Sequence, residues 1–160
     1  PEDRLLVVLE NERIYLHKVL RINFTTYDVR RAQDILNARK EAFIMTLARP
    51  RDAATHPFLY VRILGMFHVE VCYRPDGRSN PTPMRLEVLW VRWYRHDTCW
   101  RGGFAARRLH RIGLVPLEDH DAFGFLDPDD VIRAAHLIPA FAHGKSTSHK
   151  DKWNHHYVNM

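Results

Sequence analysis

The stretch from Leu86 to Tyr94, Leu-Glu-Val-Leu-Trp-Val-Arg-Trp-Tyr, followed by Arg95, decides how the rest of the chain is read. Almost every side chain in it is β-branched, aromatic or aliphatic, and no Gly or Pro interrupts it. Such a run reads as a strand with both faces partly covered, the expected central strand of the fold. Arg92 and Arg95 stand among Trp90, Trp93 and Tyr94, a mixture that binding surfaces also use.

Upstream, His56-Pro57 leads into a long extended segment, Phe58 to Tyr73, with a bulge or bend expected at Gly65, where unusual backbone angles cost least. A bend there is what a small barrel needs. Arg74 to Pro83 is dense in turn residues and reads as the loop joining the two strands. Nearer the start, Leu5 to Leu9 reads as a strand closed by a Glu10-Asn11-Glu12 turn. Arg13 to Phe24 alternates with period two, so the pair suggests a hairpin. Thr25 to Asp28 form a polar turn, and Val29, Ala32, Ile35 and Leu36 sit near helical spacing, which predicts a short helix over 29–40. Phe43 to Leu47 is a further strand.

Downstream, His96-Asp97-Thr98 and Gly102-Gly103 read as loop, followed by a short segment from Phe104 to Leu109 leading to Ile112, Leu114 and Val115. Phe123 to Leu126 precedes Asp127-Pro128-Asp129-Asp130, which has the order of a helix N-cap, a proline at the first helical position and acids in the first turn. A helix from Pro128 to about His136 is expected. The reading is one domain over 1–142 and a polar, His-rich, poorly packed segment over 143–160.

The 160 residues, 46% of them hydrophobic, suffice for one domain with a real core. No apolar run approaches the ~20 residues that span a bilayer, and the start lacks the order of a secretion signal. A soluble protein with no membrane partner is expected. Because the chain begins at Pro1 and still reads as strand at Tyr157 to Met160, it is expected to be a piece of something longer. The two cysteines, Cys72 and Cys99, are too few for a disulfide scaffold and read as free thiols. A net charge of +5 permits an acidic partner without demanding one. Arg30 and Arg31, Arg49 and Arg51, and above all Arg101, Arg107, Arg108 and Arg111 concentrate it.

Recognisable catalytic patterns are missing. No Gly-rich phosphate loop, nucleophile elbow or Ser/His/Asp order appears. Asp127, Asp129 and Asp130 could hold metals in a nuclease or transposase, but the proline among them favours capping. His143, His149, His155 and His156 match no zinc spacing and read as solvated, so no metal or other cofactor is expected. The aromatic residues Phe58, Tyr60, Trp90, Trp93, Tyr94 and Trp100 could converge at one barrel end, where ring faces attract a methylated ammonium. Trp90 and Trp93 are expected mainly in the core, with Tyr94 and Trp100 nearer the surface.

Several stretches carry a resemblance: Phe24 to Arg31, His56 to Tyr60, Leu89 to Trp93, Arg108 to Arg111, Phe123 to Arg133, His136 to Phe141 and Tyr157 to Met160. Together they resemble a domain near the C-terminus of Plavaka-type, CACTA-like DNA-transposon proteins of mushroom-forming fungi. The resemblance covers most of the chain from Arg21 onward. It implies a nuclear, transposon-derived protein whose cleavage chemistry lies outside this segment. A second set, Tyr60 to Ile63, Val88 to Arg95 with Asp97-Thr98, and Asp127 to Ile138, resembles the bromo-adjacent homology (BAH) domain, a small β-barrel that binds nucleosomes, histone tails or other chromatin proteins. This chain is shorter after Trp93 than that pattern and places Arg95 where a second cage aromatic stands.

The expected fold is therefore mainly β with short helices, a small, partly open, BAH-like β-barrel. The expected function is a non-catalytic chromatin-targeting or protein-interaction module, nuclear, with a histone tail, nucleosome or other chromatin protein as partner. Its peptide-binding set would be Tyr60, Trp93, Tyr94, Arg95 and Trp100. The alternative is a transposase DNA-binding domain that sets Arg101, Arg107, Arg108 and Arg111 against phosphates.

Overall fold

A computed structural model describes residues 7–48, 56–73, 82–145 and 153–159. Its strands are β1 (Val7–Leu16), β2 (Val19–Thr25), β3 (Arg31–Asn37), β4 (Ala42–Leu47), β5 (Phe58–Tyr73), β6 (Met84–His96), β7 (Arg111–Leu114), β8 (Phe123–Leu126), β9 (Val131–Ala134), β10 (His136–Pro139) and β11 (His155–Asn159). Only single 3-10 turns accompany them among the described residues. The protein is mainly β, a small, partly open β-barrel.

The antiparallel pair β5–β6 is its spine, and the sheet runs β10-β11-β7-β6-β5-β4-β9 around it. β1 joins the far half of β5, and β8 joins the middle of β6. The organising stretch is thus central, as its composition predicts: β5 pairs along one of its edges, and β7 and β8 along the other. The bulge falls at the expected place, with a register shift between Ile63 and Gly65. It reverses the parity of β5. Val61 and Ile63 before the bulge and Met66 after it therefore enter the same core, with Ile44, Leu89, Val91 and Leu126. On the opposite face Tyr60, Tyr94, Ile112, Leu137 and Val158 form a second core.

Five expectations are corrected. The hairpin between the first two segments does not form, because Arg13 to Phe24 breaks at His17-Lys18. β1 pairs with β5 instead, and β2 pairs with β3. The Glu10-Asn11-Glu12 turn does not end the first strand but loops out of β1, with Asn11 and Glu12 at φ of 54° and 51°. The helix over 29–40 gives way to strand β3, because Thr26 to Arg30 closes a hairpin rather than capping a helix. Pairing satisfies the backbone, and Leu20, Ile22 and Leu36 bring the apolar side of that hairpin to the first core; a thin helical stripe offers less burial.

The helix expected from Pro128 is one turn, Pro128–Asp130, after which the β-branched Val131 and Ile132 enter β9. Its capping is as expected, since the Asp127 carboxylate accepts the Asp129 N–H at 2.9 Å. Finally, within the segment over 143–160 the described residues 155–159 are packed rather than solvated, while 146–152 and 160 lie outside the described residues. β11 lies between β10 and β7, with His156 and Val158 buried. The loop expected over 74–83 falls mostly outside the described residues, as do Arg49, Arg51 and His149.

Candidate functional site

The candidate residues gather where β6 ends and the chain loops toward β7. β6 delivers Arg92 to His96 in alternation, so Tyr94 turns inward while Arg95 faces out. Tyr94 and, opposite it, Tyr60 are buried at 4% and 1% exposure. Burial pushes the Tyr60 hydroxyl up to about 12 and raises that of Tyr94 further. Neither ring face can meet a peptide, which corrects their expected place on the surface. Trp93 packs against the first core, and a Cβ on Gly124 would lie only 2.6 Å from its indole nitrogen, so the glycine makes room for the ring. Trp90, expected inside, is 44% exposed.

Arg95 is exposed and pairs with Asp119 at 2.9 Å. Hydrogen bonds from the Asp121 N–H and from Arg95 hold the Asp119 carboxyl below the usual range. Trp100 donates its indole N–H to the Leu109 carbonyl at 3.0 Å, and the guanidinium carbons of Arg111 and Arg108 lie 4.4 and 5.3 Å from its ring centre. The ring is occupied by this chain's own cations. An aromatic cage from Tyr60, Tyr94 and Trp100 is thus not assembled.

The arginines divide into two kinds. Arg111 is mostly buried and spent: it pairs with Asp97 at 2.6 Å and donates to His143 at 2.7 Å. Burial pushes the Asp97 carboxyl up, but bonds from Arg111 and the Cys99 N–H outweigh it and leave the carboxyl below its usual value. Arg101, Arg107 and Arg108 are exposed, and among the described residues no carboxylate pairs with them. They ride on a closed loop in which the Gly103 N–H donates to the Arg108 carbonyl at 2.7 Å. A side chain on Gly102 would meet the His110 backbone at 2.8 Å, and Gly103 has φ of 106°, so the glycine pair is a geometric requirement of this loop. Its tip carries Phe104, fully exposed, and Arg107 in a left-handed conformation. From Thr98 to Leu117 the sequence holds no acid.

Beside this loop lies a group that sequence reasoning missed. His56 precedes β5, His96 ends β6 and His110 precedes β7, and one ring nitrogen of each lies within 4.8 Å of the others. Burial, then the neighbouring His56, lowers the His96 pKa to about 4, while burial outweighs a backbone hydrogen bond to lower that of His56. The only signal in the sequence was that each histidine borders a strand. Asp127, Asp129 and Asp130 do not converge into a ligand set among the described residues.

Across the sheet a different surface appears. Leu16 and Ile14 of β1, Leu86 and Trp90 of β6 and Phe125 of β8 are all exposed on one face of the sheet, with the half-buried Phe67 and Val69 of β5 between β1 and β6. No family model, curated protein or solved structure matches the chain.

Proposed function

We propose that this chain is a non-catalytic, nucleic-acid-docking module of a nuclear, transposon-derived protein, with the loop from Thr98 to Arg111 as its contact surface. The observation that carries the reading is the exposure of Arg101, Arg107 and Arg108, without carboxylate partners among the described residues, on a loop free of acids. Guanidinium groups without carboxylate partners are ready to neutralise phosphates, and they do so without reading sequence. Exposed Phe104 at the tip adds a ring on which an unpaired base can stack. Arg111 holds the loop through Asp97 and Trp100 rather than touching phosphate.

The test is fluorescence anisotropy with labelled DNA at two salt concentrations. Affinity should fall steeply with salt, and replacing Arg101, Arg107 and Arg108 together by Gln should flatten the log–log slope by about 2–3, at ~0.9 per phosphate contact. A slope unchanged in that variant would overturn the reading.

A second reading, docking of a chromatin protein such as a histone tail, is favoured by the exposed apolar face around Trp90 and Phe125, since contiguous apolar surface of this kind marks interaction sites. Its binding would be insensitive to salt and lost in Trp90→Ser with Phe125→Ser, while DNA binding persisted.

A further inference from the structure

We propose that His56, His96 and His110 form a binding site for a divalent transition-metal ion, with Zn2+ as its natural occupant. The topology assembles it. Antiparallel pairing of Val61 with Trp93 brings the start of β5 beside the end of β6, and pairing of His96 with Ile112 adds the approach to β7. Three histidines separated by tens of residues thus meet at one corner of the sheet, all half-buried, with ring centroids of His56 at 4.1 Å from His96 and 4.5 Å from His110.

The outer hydrogen bonds fit the chemistry. A metal-bound imidazole keeps its second nitrogen protonated and donates it to a carbonyl or carboxylate, which fixes the ring. Here one carbonyl serves two rings: Phe58 O lies 3.2 Å from His96 Nε2 and 3.2 Å from His56 Nδ1. The Phe58 N–H also lies 3.2 Å from His56 Nδ1 and donates to it in the other tautomer; in the tautomer in which each ring donates to the carbonyl, His96 Nδ1 and His56 Nε2 carry the lone pairs a cation needs. Neither ring nitrogen of His110 makes a hydrogen bond among the described residues, and Gly103, lacking a Cβ, leaves space beside its Nε2. Three neutral imidazoles supply three ligands of a tetrahedral ion and leave the fourth position to water or a partner's donor atom.

The ion would tie β5, β6 and β7 together at the root of the arginine loop. This inference stands apart from nucleic-acid docking, because its readouts are metal affinity and thermal stability.

The purified chain, stripped with a chelator and then freed of it, is titrated with Co2+ as a coloured probe, and its melting temperature is read with and without Zn2+. The expected result is saturation at one equivalent, a visible absorption that Zn2+ bleaches, and a melting temperature that rises with Zn2+. His110→Asn and, separately, His56→Gln should weaken binding by about 100-fold or more, since loss of even an outer hydrogen-bonding partner costs about 10–100-fold. Circular dichroism identifies which variant retains its fold. His120→Asn, which alters the exposed cluster at Asp119 and Asp121, should change nothing. No saturable absorption in the wild-type chain, or wild-type affinity in a folded triad variant, would overturn the proposal.

Discussion

At the Tyr60–Tyr94 end of the β5–β6 pair, one face of the ribbon packs with Ile112, Leu137 and Val158 from three further strands. At the Leu86–Trp90 end the same face meets solvent. The residue types barely differ, aromatic and aliphatic at both ends; what differs is whether later strands arrive to cover them. Arg92 marks the border. It is 3% exposed, donates to the carbonyls of Ala122 and Val115, and lies 4.7 Å from the Phe123 ring centre. An identical strand pattern can therefore build core or contact surface, depending on residues distant in the chain.

Tyr94→Ala should produce the largest effect on this contrast, because it empties a sealed site; a loss of about 3–5 kcal/mol is expected in chemical denaturation. Arg92→Met at the border should cost about 1–3 kcal/mol, since two interior carbonyls lose their donor. At the bare end, Trp90→Ser with Phe125→Ser should change stability by no more than about 1 kcal/mol, surface substitutions being mild, while the native protein's fluorescence with a hydrophobic dye drops. Equal costs for Tyr94→Ala and the Trp90/Phe125 pair would erase the distinction between the two ends.

The smallest effect concerns acid. The Asp119 carboxyl is held below its unfolded value, so its contribution is present above about pH 4 and is lost as pH falls through its lower folded pKa. Melting curves at neutral and acid pH should show the wild-type chain losing slightly more than Asp119→Asn. The reverse order would break the reading that the Asp121 N–H and Arg95 together stabilise the Asp119 carboxylate.

Much of the architecture was legible in short-range pattern. The unbroken apolar run of β6, the interruption of β5 at Gly65 and the Asp127 cap each depend on neighbouring residues, and each appears as read. What failed depended on partners elsewhere. β3 is a strand because β2 pairs with it, and His155 to Asn159 are ordered because β7 and β10 flank them. The proposed site followed the same division. The exposed arginines of the acid-free loop were visible in sequence, but nothing local revealed that Arg111 is spent on Asp97 or that Tyr60 and Tyr94 are inside. The histidine triad was invisible because its members are brought together only by strand pairing.

The single irregular step at Gly65 acts like a frame shift in a message read two letters at a time. Before it, odd-numbered residues of β5 face the first core; after it, even-numbered ones do, as Ile63 and Met66 show. Ironing out the bulge into regular pairing with no residue removed would leave the composition of the strand untouched yet exchange the wet and dry sides of everything beyond it. Phe67 would be driven into the interior and Met66 out of it. The strand's two halves are in effect separate sentences joined by one punctuation mark, and each can be rewritten without garbling the other only while that mark is kept.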